Sequence, residues 1–159
     1  MPIVIEPGRA LLAPAGVLIA RVLDIKPRSD GSEFVIIDAG MTELLRPALY
    51  GAYHRIEPVS PRAGALRQYE VVGPVCESSD VVGRDRELPP LQVGDLVAIM
   101  DAGAYGFAMA SNYNRRPLPA EVLVDTVSPG EDAGAATAPA HWRVIRRRQT
   151  VEDMLALES

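Results

Sequence analysis

Hydrophobic and polar positions change period several times along the chain, and each change marks an element. Ile3, Val4 and Ile5 form a short unbroken apolar run closed by Pro7-Gly8, the pattern of a strand buried on both faces in a parallel sheet. RALLAPAG, residues 9–16, has the length of one or two helical turns. VLIARVLDIKP (17–27) is rich in β-branched side chains and alternates in part, and EFVIIDAG (33–40) reads as another strand. The RSDGS between them places Asp30-Gly31 at a tip, which predicts a β-hairpin.

TELLRPALYGAY (42–53) is interrupted by Pro47 and Gly51, so an irregular segment with one helical turn at most is expected. HRIEPV (54–59), RQYEVVGPV (67–75), LVAIMDAG (96–103) and EVLVDTV (121–127) are short strand candidates set apart by Gly, Pro and Asp clusters. Residues 127–140 are small, polar and rich in Pro and Gly, the composition of a flexible surface loop. HWRVIRRR (141–148) returns as a last strand. TVEDMLALE (150–158) predicts a short closing helix capped by Thr150, with Asp153 in the capping-box position. Many short strands at modest spacing predict a mainly β fold, an antiparallel barrel or sandwich. The opening run is out of place in it, because an antiparallel barrel has no use for a strand buried on both faces.

Bulk composition adds limits. A chain of 159 residues holds one domain or a little more. Aromatic residues are only 5%, so Val, Leu, Ile and Ala must fill the core. A net charge of −5 argues against nucleic acid or an anionic membrane as the main partner, while leaving room for a local basic pocket. A single cysteine, Cys76, cannot form an intramolecular disulfide, which fits a reducing compartment. MPIVIEPGR lacks the basic and apolar segments of a signal peptide. No apolar run approaches the roughly 20 residues of a membrane span, and a cytoplasmic protein is expected. Of 16 basic residues only Lys26 is a lysine.

Several stretches carry side chains suited to chemistry. In EPGR (6–9), Gly8 lets the backbone approach an anion and Arg9 offers a planar fork for a carboxylate or phosphate, with the first amides of a following helix adding to such a site. Alone, the four residues also read as an ordinary turn with a surface arginine. Arg46 and Tyr50, four apart, would share one anion on a helix, or be a solvated arginine beside a core tyrosine. GPVCESSD (73–80) holds Cys76 and Glu77, which would face opposite sides of a regular strand. The Gly73-Pro74 in front predicts a turn instead, on which both can serve one site. A free thiol with a pKa of about 8.5 is mostly protonated near neutrality, and an adjacent carboxylate raises it further. Such a thiol suits proton donation better than nucleophilic attack, which needs the thiolate. Around Tyr105, DAGAYGFAMASNYN (101–114) is dense in small residues, which allows either a sharp turn presenting the hydroxyl or a Gly-rich hairpin with a packed aromatic. Arg146, Arg147 and Arg148 read as solvated charges on a strand. His54 and His141 sit in strand-like contexts and read as structural. With one cysteine and two scattered histidines, no metal site is expected.

Taken in this order, EPGR, LLRPALYGAYHRI, GPVCESSD and DAGAYGFAMASNYNRRPLPAEVLV resemble the diaminopimelate decarboxylases. These are pyridoxal 5'-phosphate enzymes of the fold-type III group that includes ornithine and arginine decarboxylases and alanine racemase. The resemblance covers nearly the whole chain. It implies an alanine-racemase-like C-terminal β-domain over residues 16–159, with residues 1–15 a remnant of the last strand of a preceding barrel and its helix. The implied reaction is meso-2,6-diaminopimelate to L-lysine and CO2. Glu6, Pro7, Gly8 and Arg9 would contribute to the cofactor phosphate site, with Arg9 also reaching the substrate. Arg46 and Tyr50 would bind the distal carboxylate, Glu77 the distal amino group, and Tyr105 would sit against substrate and cofactor phosphate. Cys76 would protonate the carbon that loses CO2. The family delivers the residues matching Cys76 and Glu77 across a homodimer interface into the partner's site. Glutamate after the cysteine favours diaminopimelate over ornithine, whose decarboxylases typically carry aspartate there. The family's barrel, about 250 residues long, carries the Schiff-base lysine and most cofactor contacts, and Lys26 matches no such position. The resemblance therefore implies part of a decarboxylase, inactive by itself and completed by a barrel domain or full-length homologue. The alternative is a non-catalytic β-domain that pairs with a full-length decarboxylase and modulates it.

Overall fold

The computed structural model describes residues 2–60, 62–125 and 141–158, and the chain divides into two units, Met1–Asn114 and Arg115–Ser159. The first begins with a short helix, α1 (Gly8–Leu12), continued by a 3-10 turn over Ala13–Ala15. Six strands follow: β1 (Leu18–Pro27), β2 (Glu33–Ile37), β3 (Ile56–Pro58), β4 (Arg67–Val72), β5 (Val81–Leu88) and β6 (Leu96–Ile99), with a second helix, α2 (Arg46–Tyr50), between β2 and β3. They form one sheet in the order β3-β6-β1-β2-β4-β5. The fold is mainly β, as expected, but the sheet is mixed: β2 and β4 run parallel while every other neighbouring pair is antiparallel.

The hairpin forms where Asp30-Gly31 predicts it. Gly31 takes a φ of 86°, and the Arg28 and Ser32 backbones close the turn through a 2.9 Å hydrogen bond. Strand β1 is ten residues long because it serves two partners: Leu18–Arg21 pair with β6, and Val22–Pro27 with β2 after a register shift between Val22 and Asp24. A shift of this kind bends a strand and raises its twist. The two edge strands are brought together, to the point that a Cβ on Gly83 of β5 would lie 2.9 Å from Ile56 Cδ1 of β3. The sheet is thus a nearly closed barrel.

Its core follows from period-two alternation. Ala20 and Val22 of β1, Val35 and Ile37 of β2, Tyr69 and Val71 of β4, and Val97 and Ile99 of β6 point inward, none more than 2% exposed. Each fully buried branched side chain contributes about 1.5–3 kcal/mol relative to exposure. Tyr69 is the aromatic among them, and its hydroxyl accepts a 3.1 Å hydrogen bond from the Leu91 amide.

Two expectations need correction. Residues 3–5 form no strand: Ile3, Val4 and Ile5 are 91%, 83% and 73% exposed. A strand is held by a neighbour's hydrogen bonds, and no described strand lies beside this run. Conversely, β5 was hidden in VVGRDREL. Charged residues on its outer face and a left-handed Asp85 (φ 52°) break the alternation that would reveal a strand. In TELLRPALYGAY, Pro47 does not interrupt a helix but sits in the first turn of α2, where its missing N–H costs nothing.

The second unit has β7 (Glu121–Asp125) and β8 (His141–Arg146), paired antiparallel, and α3 (Val151–Leu155). Thr150 and Asp153 form the expected capping box. Arg146 and Arg147 are exposed but ion-paired, with Glu121 and Asp153. The loop expected at 127–140 lies outside the described residues. Among the described residues, no helix is long and apolar enough to cross a membrane, and no cluster of three or more His, Cys, Asp or Glu could hold a metal ion.

Candidate functional site

All the residues singled out from the sequence for chemistry fall in the first unit. Helix α2 carries Arg46 at its start and Tyr50 four residues on, hence on one face. Gly51 ends the helix in the left-handed region (φ 61°), its amide bonded to Pro47 O at 3.0 Å. The Arg46 guanidinium lies 5.4 Å from the Tyr50 ring centroid and 5.3 Å from that of Tyr105. It therefore sits against two aromatic rings contributed by separate segments, an arrangement that steadies a cation without neutralising it. No carboxylate pairs with Arg46 or Arg9 among the described residues. A cleft of about 480 Å³ opens beside them, lined by Arg9, Ala13, Arg46, Tyr50, Ala52, Tyr53, His54, Asp101 and Ala104.

Tyr105 reaches Arg46 by an unusual backbone. It and Asp101 have positive φ (60° and 59°), whereas the neighbouring glycines do not. The glycines are needed for closeness instead. A Cβ on Gly103 would lie 2.1 Å from Leu12 O, and the Gly103 amide donates to Ala13 O at 3.0 Å. Together with Ala102 N–H to Gly16 O at 2.9 Å, this docks the Tyr105 loop onto the end of α1, the helix that bears Arg9. Glu6, Pro7 and Gly8 are exposed at the start of that helix, and no side chain caps it.

Cys76 and Glu77 lie on a turn, as Gly73-Pro74 predicts. The turn is closed by its own last residue, which sequence reading had not singled out. Asp80, 3% exposed, accepts from Val75 N at 2.8 Å and from Met41 N at 2.6 Å. Its carboxylate occupies the space beside Gly40 and Gly73: a Cβ on Gly73 would lie 2.2 Å from it. Cys76 is thereby presented to solvent. The Glu77 carboxyl is held below the usual carboxylate range, first by the Ser79 amide and then by the Ser78 hydroxyl. Glu77 lines a different cleft of about 420 Å³, with Arg28, Phe34, Glu70 and Arg84. The chain thus gathers Arg9, Arg46, Tyr50 and Tyr105, while Glu77 lines the other cleft and Cys76 lines neither.

Residues 11–103 match the C-terminal sheet domain of pyridoxal-dependent decarboxylases. The chain belongs to this family. It is 46% identical over all its 159 residues to the diaminopimelate decarboxylase of Vibrio cholerae and 46% identical to that of Pseudomonas aeruginosa, covering 34% and 35% of those proteins. The chain therefore spans about a third of the length of the curated relatives it matches. In structure it resembles the diaminopimelate decarboxylase of Helicobacter pylori complexed with L-lysine (42% identity, TM-score 0.80, 94% of this chain and 33% of that one). It is less similar to the lysine/ornithine decarboxylase of Vibrio vulnificus complexed with cadaverine (30% identity, TM-score 0.60, 67% of this chain).

The family name implies pyridoxal phosphate, and the residues present fit it only in part. Such cofactors are held covalently by a lysine amine. Lys26 stands at the end of β1 opposite Phe34, 3.6 Å from the Asp24 carboxylate, and does not line the Arg46 cleft.

Proposed function

We propose that these residues form the C-terminal part of a pyridoxal-phosphate-dependent diaminopimelate decarboxylase, which converts meso-2,6-diaminopimelate to L-lysine and CO2. The observation that carries this reading is Arg46, unpaired and set against the rings of Tyr50 and Tyr105 at the mouth of a cleft that also holds Arg9. Guanidinium forks bind carboxylates bidentately, so Arg46 with the Tyr50 hydroxyl takes the distal carboxylate of the substrate. Arg9, with Glu6, Pro7 and Gly8, faces the cofactor phosphate and the substrate, and Tyr105 lies between the two. Residues 1–15 belong to the edge of a barrel domain that supplies the lysine, and residues 16–159 to the β-domain; the exposed Ile3, Val4 and Ile5 then find their neighbours on that barrel.

Cys76 gives the proton that replaces CO2 on the substrate, and the anionic Glu77 receives the distal ammonium group. Neither residue lines the Arg46 cleft, which supports a homodimer in which each turn serves the partner's site. With no lysine suited to the cofactor, the 159 residues alone do not turn over.

The test is reconstitution. The chain is mixed with a diaminopimelate-decarboxylase barrel domain and pyridoxal phosphate, and CO2 release from diaminopimelate is measured. Activity is expected in the mixture, absent from either part, and strongly reduced by Cys76→Ala and Arg46→Ala. Turnover by the chain alone, with a borohydride-stable cofactor adduct on Lys26 by mass spectrometry, would sink the reading. Activity that survives Cys76→Ala would favour the non-catalytic module.

A further inference from the structure

The Arg46 cation is held between two rings that come from different stretches of chain, so something must keep those stretches in register. Tyr50 ends α2, and Tyr105 follows β6 by six residues. His54, 4% exposed, stands four residues after Tyr50 in the wall of the cleft. Its Nδ1 is 2.9 Å from the carbonyl oxygen of Met100. A carbonyl can only accept, so Nδ1 carries the hydrogen and donates it. The backbone repeats the link one residue on, through Met100 N–H to Arg55 O at 2.8 Å. Met100 is followed at once by Asp101 and then by Tyr105, both left-handed. His54 Nε2 is buried without a hydrogen-bond partner. An orphaned buried nitrogen opposes folding, so packing alone gives no reason for a histidine at this position in preference to an apolar ring.

We propose that His54 is a positioning residue for Arg46. Its Nδ1–H ties the segment leaving α2 to the root of the Tyr105 loop, so that the Tyr50 and Tyr105 rings meet one guanidinium. The substrate side of this inference rests on the decarboxylase reading above, but the tether itself does not.

Three measurements on the 159-residue chain test it. First, long-range ¹H–¹⁵N spectra of the unchanged protein should show Nδ1 protonated and Nε2 bare in His54, with His54→Asn identifying its signals against those of His141. A bare Nδ1 would overturn the tether without any variant having to fold. Second, the Nε–Hε signal of Arg46, identified with Arg46→Lys, should be shifted by the two rings. His54→Asn, whose amide N–H replaces the Nδ1 donor, should keep that shift. His54→Phe, which keeps a ring and removes the donor, should lose it while the methyl signals of Val35 and Val97 stay in place. Third, pimelate, a seven-carbon dicarboxylate probe, should bind His54→Phe about tenfold more weakly than the unchanged chain, the equivalent of one neutral hydrogen bond, and His54→Asn about equally. Equal Arg46 shifts in all three proteins, or identical behaviour of His54→Asn and His54→Phe, would overturn the proposal. If pimelate binds none of them, the carboxylate reading of the cleft fails, and the Arg46 and His54 spectra still decide the tether.

Discussion

Replacing Asp80 by alanine removes the carboxylate that accepts both the Val75 and the Met41 amides, 2.8 and 2.6 Å away. Each buried N–H left without its acceptor costs about 1–3 kcal/mol, so Asp80→Ala should destabilise the first unit by about 4 kcal/mol. Asp80→Asn, which keeps one acceptor oxygen, should cost about half that. Gly73 makes the reasoning sharper. A Cβ there would sit 2.2 Å from Asp80 Oδ2, where ordinary contact begins at 3.4 Å. Overpacking of this kind costs about 1–3 kcal/mol, against a gain of about 0.4–1 kcal/mol from stiffening the unfolded chain. Gly73→Ala should therefore destabilise by about 1.3 kcal/mol in the unchanged protein. On the Asp80→Ala background the obstructing carboxylate is gone, and the same substitution should be neutral or slightly stabilising. The cycle then has a coupling energy of about 2 kcal/mol, the overpacking cost that the Asp80 carboxylate imposes, well above the few tenths expected of independent sites. Urea unfolding followed by circular dichroism gives the four stabilities, and amide exchange at Met41 and Val75 reports the turn itself. Additivity within about 0.5 kcal/mol, or unchanged exchange at Val75 in Asp80→Ala, would refute the claim that Asp80 builds the Cys76 turn.

Other outcomes follow from the same contacts. Gly103→Ala puts a Cβ 2.1 Å from a backbone oxygen that cannot step aside; a loss above about 2 kcal/mol and rapid proteolysis within residues 8–15 are expected, and an unaltered digestion pattern would count against the docking of the Tyr105 loop on α1. Tyr69→Phe should cost about 1–3 kcal/mol in urea unfolding, because the Leu91 amide loses its acceptor, and no measurable change would contradict that bond. The carboxyl of Asp153 is held well below the usual range by Arg147 first and by the Thr150 amide next. A folded-state value below the unfolded one stabilises above the ordinary Asp value of about 3.9, and that contribution is lost as pH falls through the folded value. The backbone signals of residues 151–155 should therefore shift toward their unfolded positions only under strongly acidic conditions. Asp153→Asn should remove this acid step.

Much of the barrel was legible in the chain because its strands obey period two. Val35 and Ile37, or Val97 and Ile99, alternate cleanly and have one buried face each. Strand β5 was not legible, since Asp85 turns left-handed in mid-strand and the charges of Arg84 and Glu87 mask Val82 and Leu88. The candidate site was half legible. Arg46 and Tyr50 could be placed on one helical face from their spacing alone. Their meeting with Tyr105, 55 positions on, depends on the β3–β6 pairing and the close approach of Gly103 to α1, neither of which leaves a local signal.

Residue types and their order determined the family, the mainly β class and the turn at GPVCESSD, because these depend on side-chain chemistry and neighbours in the chain. Tertiary structure alone decided that Asp80 closes the turn, that the His54 side chain bonds to Met100, and that Arg46 lies against two rings while Glu77 lines a different cleft. Each of these is a contact between residues distant in sequence or a choice among local conformers. Such choices are made by packing and by the demand that buried polar groups find partners.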